Sequence, residues 1–288
     1  MCSSSIQTLL SDVISDQLPP AAAEWFATKR AAVAADSGNR ALFLAISLVT
    51  RKLGKADLIV TDAIRARASE ARRDWCLDDW SIDQAARVLL LLEAPGDAPT
   101  LAARLEELCV TADMGELVAF YRGLPLYPQP EQYVARAGEG LRTNIKAVFN
   151  AIAHNNPYPR EQFDELAWNQ MVLKALFIDT PLHPMQGLDD RSSPALAKML
   201  CDYAHERWAA GREFSPELWR CVGRHADAAA LDDLGRSLTQ DRPEQARAAA
   251  LALTECSLPA AAPILDEAPQ LAAAARAGEI RWESILDP

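Results

Sequence analysis

The spacing of apolar residues constrains this chain most: it recurs at helical intervals and nowhere settles into the two-residue alternation of a half-buried strand. Leu141, Ile145, Val148, Phe149 and Ile152 follow each other at i, i+4, i+7, i+8 and i+11. At 3.6 residues per turn these positions share one face, so the stripe predicts an amphipathic helix. The same reading predicts helices over Ile6–Gln17, Ala21–Ala35, Arg40–Leu53, Asp57–Asp74, Ile82–Leu92 and Thr100–Ala112. Asp36-Ser-Gly-Asn39 and Glu93-Ala-Pro-Gly-Asp97 fall between them as turns, with Thr100 as an N-cap. Alanine and leucine outnumber valine, isoleucine and threonine, which favours helix because alanine loses no side-chain entropy there and β-branched residues prefer strands. The expected fold class is all-α.

One break in this pattern stands near the middle. Leu124-Pro-Leu-Tyr-Pro-Gln-Pro130 is too rich in proline to continue a helix, since each proline removes a donor and biases the preceding residue towards extended geometry. The expectation is a single all-helical domain over 1–288, with 124–130 as the place where it would divide, into 1–123 and 131–288. In the C-terminal third, Leu231-Asp-Asp-Leu-Gly-Arg-Ser-Leu238, then Asp241-Arg-Pro-Glu244, then Arg247-Ala-Ala-Ala-Leu-Ala-Leu253 resembles a HEAT-type hairpin. Helices over Pro259–Asp266 and Pro269–Ala277 would stack on it as antiparallel hairpins. Only one copy of the unit is clear, so no solenoid of strict period is expected.

Charge and cysteine usage narrow the partners. The chain of 288 residues carries a net charge of −11 and no basic block, which opposes the counterion release that a nucleic-acid binder needs. Met1-Cys2-Ser3-Ser4-Ser5 has neither a basic start nor a long apolar stretch behind it, so no secretory signal is expected. The most apolar run, Ala41 to Val49, falls short of the roughly 20 residues a membrane span needs, so no membrane insertion is expected. The six cysteines (Cys2, Cys76, Cys109, Cys201, Cys221 and Cys256) are scattered without a Cys-x-x-Cys pair, which predicts reduced thiols and a cytoplasmic setting. Cys109 falls on the stripe of Leu101, Leu105 and Leu108 and reads as a small core residue.

The segment from His154 to Trp208 carries polar residues where a plain helical core has none. A helix over about Glu161 to Ile178 places Phe163, Leu166, Leu173 and Phe177 on one side and Trp168, Val172 and Leu176 on the other. Gln170 and Lys174, an i, i+4 pair, project on the first side, and Asn169 projects between Leu173 and Leu176. Burying an unpaired ammonium or amide costs several kcal/mol, so each of these groups needs a partner. Either Lys174 reaches water and Gln170 bonds a neighbouring backbone, or the three line a cavity and meet a polar ligand. His154, Asn155 and Asn156, at the end of the preceding stripe, read either as a C-cap and turn or as neutral donors and acceptors beside that cavity. On the helix from Pro194 to Ala210, Arg207 shares the apolar face of Leu196, Met199, Leu200 and Tyr203, with Asp202 and Glu206 beside it. Arg207 either pairs with a carboxylate (Asp189, Asp202 or Glu206) or joins Lys174 in clamping a phosphate or carboxylate. On these grounds His154, Asn169, Lys174 and Arg207 are expected to converge on one cavity.

Other chemistries are poorly supported. Asp202-x-x-His205 puts two potential metal ligands on one face, but a di-iron bundle needs two Glu-x-x-His motifs, so no metal is expected. The chain has no Gly-x-Ser-x-Gly elbow, P-loop or Gly-x-Gly-x-x-Gly, and no cofactor is implied.

Several blocks in this region resemble the EboA family. They are His154-Asn-Asn-Pro-Tyr-Pro159, Ala167-Trp-Asn-Gln-Met-Val-Leu-Lys-Ala-Leu-Phe177, Gly187-Leu-Asp189 with Arg191, Glu206-Arg-Trp-Ala-Ala-Gly-Arg212 and Leu218-Trp-Arg220. The resemblance implies a small helical protein from a bacterial gene cluster. Other products of that cluster resemble a UbiA-type prenyltransferase, a TatD-type metal hydrolase, a dehydroquinate-synthase-like enzyme and a sugar-isomerase-like barrel. That company implies synthesis or trafficking of a modified small metabolite, prenylation being one such modification, with precursors moved towards the periplasm. It implies no catalytic residues. Trp168, Asp189 and Arg191 enter the candidate ligand-binding set beside His154, Asn155, Asn156, Asn169, Gln170, Lys174, Glu206 and Arg207.

Two functions remain open. One is a non-catalytic accessory protein of an Ebo-type secondary-metabolite pathway that binds a polar or anionic intermediate or a partner protein of the same cluster. The other is an enzyme of that pathway acting on an anionic or polyol metabolite, with Lys174 and Arg207 stabilising negative charge while His154 or Glu206 moves a proton.

Overall fold

Ser81 opens a helix that is apolar on nearly every side, and such a helix belongs at the centre of a bundle. In this computed structural model, which describes residues 2–286, that helix is α5 (Ile82–Glu93), and it is buried from Ile82 to Leu92 except at Gln84. The expectation for the Cys2 thiol lies outside the described side chains. The polar residues buried on α5 answer one another. Arg87 donates to the Asp83 carboxylate at 2.6 Å and to Thr50 Oγ1 at 2.7 Å, and Ser81 Oγ donates to Asp83 at 2.6 Å. Burial pushes the Asp83 carboxyl up, but the bonds from Ser81, Arg87 and Thr50 outweigh it and hold the group below its ordinary value.

The chain forms two compact units, residues 1–163 and 164–288, and the proline-rich stretch 124–130 lies inside the first. The first unit holds α1 (Cys2–Gln17), α2 (Pro20–Ala35), α3 (Arg40–Leu53), α4 (Asp62–Ala71), α5, α6 (Ala98–Thr111), α7 (Met114–Arg122), α8 (Val134–Arg142), α9 (Lys146–Ala153) and α10 (Tyr158–Gln162). α1, α2, α3 and α7 pack directly on α5. The second unit holds α11 (Glu165–Phe177), α12 (Pro194–Ala209), α13 (Ala228–Leu238), α14 (Pro243–Glu255), α15 (Ala261–Asp266) and α16 (Pro269–Arg276). α14 is its centre, touched by α13, α15, α16 and the 3₁₀ turns Pro216–Cys221 and Gly223–His225. Gly223 permits that contact: a Cβ there would lie 2.5 Å from the Ala252 carbonyl oxygen.

The fold is all-α. Among the described residues the only pairing of extended backbone is an isolated antiparallel bridge between Asp57 and Ser81, and no helix is long and apolar enough to cross a membrane. Cys76, Cys109, Cys201, Cys221 and Cys256 are free thiols, and burial pushes Cys109 up to about 12.

Three expected helices are shorter or divided. The one expected from Asp57 starts at Asp62, where Thr61 caps the Ile64 N–H at 3.3 Å. The 141–152 stripe is split between α8 and α9, because Thr143 Oγ1 accepts the Ile145 N–H at 3.1 Å and competes with the helical ladder. Ile145 is exposed as a result. The helix expected from Glu161 breaks at Phe163 and restarts after Asp164, whose carboxylate caps the Ala167 N–H at 2.8 Å.

Candidate functional site

α11 and α12 pack on each other in the second unit, and both end in the same stop. In α12, Gly211 adopts a left-handed φ of 63°. Its N–H donates to the Trp208 carbonyl at 3.0 Å, and the Arg212 N–H donates to the Arg207 carbonyl at 2.9 Å, the paired bonds of a Schellman motif. In α11 the equivalent residue is Asp179, with φ 55°. Its N–H reaches the Leu176 carbonyl at 3.3 Å while the Thr180 N–H reaches the Ala175 carbonyl at 2.9 Å. Glycine takes this conformation freely, whereas an aspartate holds it at about 1 kcal/mol.

These stops leave an open groove of about 490 Å³ bounded by the last turns of both helices. Gln170, Leu173, Lys174 and Phe177 line it from α11; Tyr203, Glu206 and Arg207 line it from α12, with Ala210 and Arg212 just beyond. The outward side of α11 is therefore not core. Phe177 is 72% exposed and Leu166 is 64% exposed, while Trp168, Asn169, Met171, Val172, Ala175 and Leu176 are buried. Burial in the groove lowers the Lys174 ammonium from its ordinary value.

Three cations face one carboxylate here: Lys174, Arg207 and Arg212 against Glu206, on a chain whose net charge is −11. The Arg207 guanidinium donates through Nε and Nη2 to the Glu213 carbonyl, at 2.9 and 2.6 Å, and lies 5.9 Å from the centre of the Tyr203 ring. Its partner is thus a neutral carbonyl and not one of the expected carboxylates. Asp189 is taken by Arg220 in a two-pronged bond of 2.7 and 2.8 Å. The bond to Arg220 holds the Asp189 carboxyl below its ordinary value.

Phe177, Tyr203 and Arg207 also bound a second recess, of about 680 Å³. Its walls carry Asp179, Thr180, His183, Glu213, Arg242, Glu244 and Arg247, so cations and carboxylates balance there. Arg242 pairs with Glu244 at 2.8 Å. The wall containing His183 is pinned by Glu217, a buried carboxylate that accepts the Leu182 N–H at 2.8 Å and the His183 N–H at 2.7 Å.

The structure thus brings Gln170, Lys174, Glu206 and Arg207 to one groove. The other candidates lie elsewhere. Trp168 is buried under Arg191, whose guanidinium sits 5.0 Å from the ring and donates to the Asp164 carbonyl at 3.2 Å, so with Asp189 they brace the loop before α12. Asn169 points into the core, and its Oδ1 has no hydrogen-bond partner among the described residues. His154, Asn155 and Asn156 belong to the first unit, where they line a water-sized void of about 10 Å³ with Trp75, Cys76, Asp79 and Arg122. Asn156 donates to the Tyr121 and Ala151 carbonyls at 3.1 and 2.9 Å and accepts the Tyr158 N–H at 3.0 Å, which ties the end of α9 into α10. Asn155 takes a left-handed φ of 49° and bonds Asp79. Within the second unit Asn169 faces the core and does not join Lys174 and Arg207, while His154 lines a recess of the first unit.

His205 Nε2 lies 2.8 Å from both Asp233 carboxylate oxygens, so its partner is Asp233 and not Asp202. Among the described residues no three of His, Cys, Asp and Glu are grouped to hold a metal ion.

Sequence reasoning overlooked Arg212, although Ala-Ala-Gly-Arg after a helix is a stop signal that turns the arginine back beside Arg207. Asp179, His183 and Glu217 left no comparable signal.

The family model described as metabolite traffic protein EboA matches residues 6–223, a span that includes every residue lining the groove. No curated protein and no solved structure matches the chain.

Proposed function

The chain belongs to the EboA family of metabolite traffic proteins, and on that footing we propose that it is a non-catalytic accessory protein that holds a small anionic intermediate in the α11–α12 groove. The intermediate would belong to an Ebo-type secondary-metabolite pathway, and the holder would pass it to a partner protein of that pathway. The carrying observation is the guanidinium of Arg207, which shares its groove with Lys174 and Arg212 and donates to a neutral carbonyl. Holding three cations together is unfavourable, and an anionic guest relieves it. Arginine also presents a planar fork suited to carboxylate or phosphate.

A second reading rests on Glu206, whose carboxylate lines the same groove. An enzyme could use it to move a proton while the cations stabilise developing charge. Glu206 is exposed, however, and stands open to bulk water that a catalytic site would exclude, which favours the holding role.

Mass spectrometry of small molecules that co-purify with the protein from a host carrying the whole pathway tests the proposal. An anionic compound is expected with the wild type and not with Arg207→Gln, and incubation should return it unchanged in mass. Equal retention by Arg207→Gln overturns the groove. Conversion of the compound by the wild type but not by Glu206→Gln overturns the non-catalytic role.

A further inference from the structure

The two properties of the groove make demands that no simple ligand meets. Leu173, Phe177 and Ala210 give it apolar walls, and Phe177 leaves 72% of its surface to water. Scattered exposed apolar side chains are ordinary on a protein surface, but these border a concavity with Lys174, Arg207 and Arg212 on its rim. A small inorganic anion would satisfy the cations and leave the walls wet. A hydrocarbon would cover the walls but strip water from the charged groups on the rim.

Resting on the reading that this groove is the binding site, we infer that its ligand is an amphiphilic anion of small-molecule size. The charged group meets Arg207 and Lys174, and an apolar body lies along Leu173, Phe177 and Ala210. Size argues against a protein segment as the occupant. Nine residues bound the groove, and its volume of about 490 Å³ falls among small-molecule sites of roughly 300–1,000 Å³. A stable protein interface uses about 20–30 residues a side. Arg207 has room for the head group, because its bonds to the Glu213 carbonyl use Nε and Nη2 and leave Nη1 out. Either a phosphate monoester or a carboxylate fits that fork.

Calorimetric titration of the full-length protein with octyl phosphate, octanoate, octanol and inorganic phosphate tests the inference. Octyl phosphate or octanoate should bind at least tenfold more tightly than both octanol and inorganic phosphate, and the better of the two identifies the head group. Phe177→Ser should weaken that ligand at least tenfold and leave inorganic phosphate unchanged. Arg207→Gln and Lys174→Met should each weaken every anion, the second serving as control because Arg207 also braces residue 213. Equal binding of octyl phosphate and inorganic phosphate, or an inert Phe177→Ser, overturns the amphiphile while the groove reading stands. Octanol binding as tightly as the octyl anions overturns the charge requirement. Failure of all anions to bind, or unchanged binding in both cation variants, overturns the inference and the groove reading together. An acidic amphipathic peptide that outcompetes the octyl anions would make the groove a protein-docking site and overturn the inference.

Discussion

Removing the Glu217 carboxylate should unseat the wall of the larger recess. Its side chain is 1% exposed and receives two backbone N–H groups, from Leu182 at 2.8 Å and His183 at 2.7 Å. A buried donor left without an acceptor costs about 1–3 kcal/mol. Leu182 is wholly buried, so its N–H should fall in the upper part of that range, while the His183 N–H, being only partly buried, can recruit water and should fall in the lower part. Glu217→Ala should therefore lose about 3–4 kcal/mol, including the void it leaves. Glu217→Gln keeps one carbonyl acceptor but turns an NH₂ towards the second donor, so a loss of about 1–2 kcal/mol follows. Urea denaturation followed by tryptophan fluorescence measures both, because Trp168, Trp208, Trp219 and Trp282 all lie in this unit. An alanine variant within 1 kcal/mol of the wild type, or a glutamine variant worse than alanine, would refute the reasoning.

The buried Arg87–Asp83 pair gives a second test: Arg87→Met strands a buried carboxylate and should lose about 3–5 kcal/mol, whereas Asp83→Leu with Arg87→Met should recover most of it in a denaturation cycle. The Asp189 carboxyl is held below its ordinary value of 3.8 in the folded chain, so its stabilising effect is present above that value and fades as pH falls through the lowered one. The stability difference between wild type and Asp189→Asn should be constant above about pH 5 and shrink on acidification; a difference that grows in acid contradicts the Arg220 pairing. Lys174→Met keeps the methylene packing of a half-buried side chain, so thermal stability should change by under about 1 kcal/mol. A larger loss would make this lysine a structural residue.

How much was legible in the sequence differs between elements and site. Helical spacing identified the elements, because burying one face of a helix leaves a 3.6-residue trace. It could not place their ends, since Thr61, Thr143 and Asp164 act through single side-chain bonds to nearby N–H groups. The polar residues of α11 drew attention correctly, yet the reason differed. Gln170 and Lys174 sit on a side that Phe177 and Leu166 leave open to water, so hydrophobicity around the whole helix did not mean burial around the whole helix. Conversely, His154-Asn-Asn looked ligand-like because amides and imidazole are versatile, and Asn156 uses that versatility to join three backbone groups. A sequence lists donors and acceptors; only the fold decides whether the backbone has already claimed them.

The position of the groove cations admits a simpler account, and charge counting separates the two. Lys174 and Arg207 occupy the last turns of their helices, where a cation complements the macrodipole by about 0.3–1 kcal/mol. Dipole complementarity explains neither Arg212, which lies beyond its helix, nor the exposure of Phe177. Each helix C-terminus contributes roughly half a negative charge, so the two ends together contribute about one. Glu206 adds one more, against the three cations. Counted over the lining residues and helix ends alone, about one positive charge is left, which matches a singly charged head group. Loss of any one cation then brings that count near neutrality. Lys174→Met, Arg207→Gln and Arg212→Gln should therefore weaken a singly charged octyl anion to similar degrees and flatten its salt dependence alike, measured by titration at two ionic strengths. If Arg207→Gln alone abolishes binding and the other two leave it unchanged, the anion is recognised by one contact and the field of the groove is irrelevant.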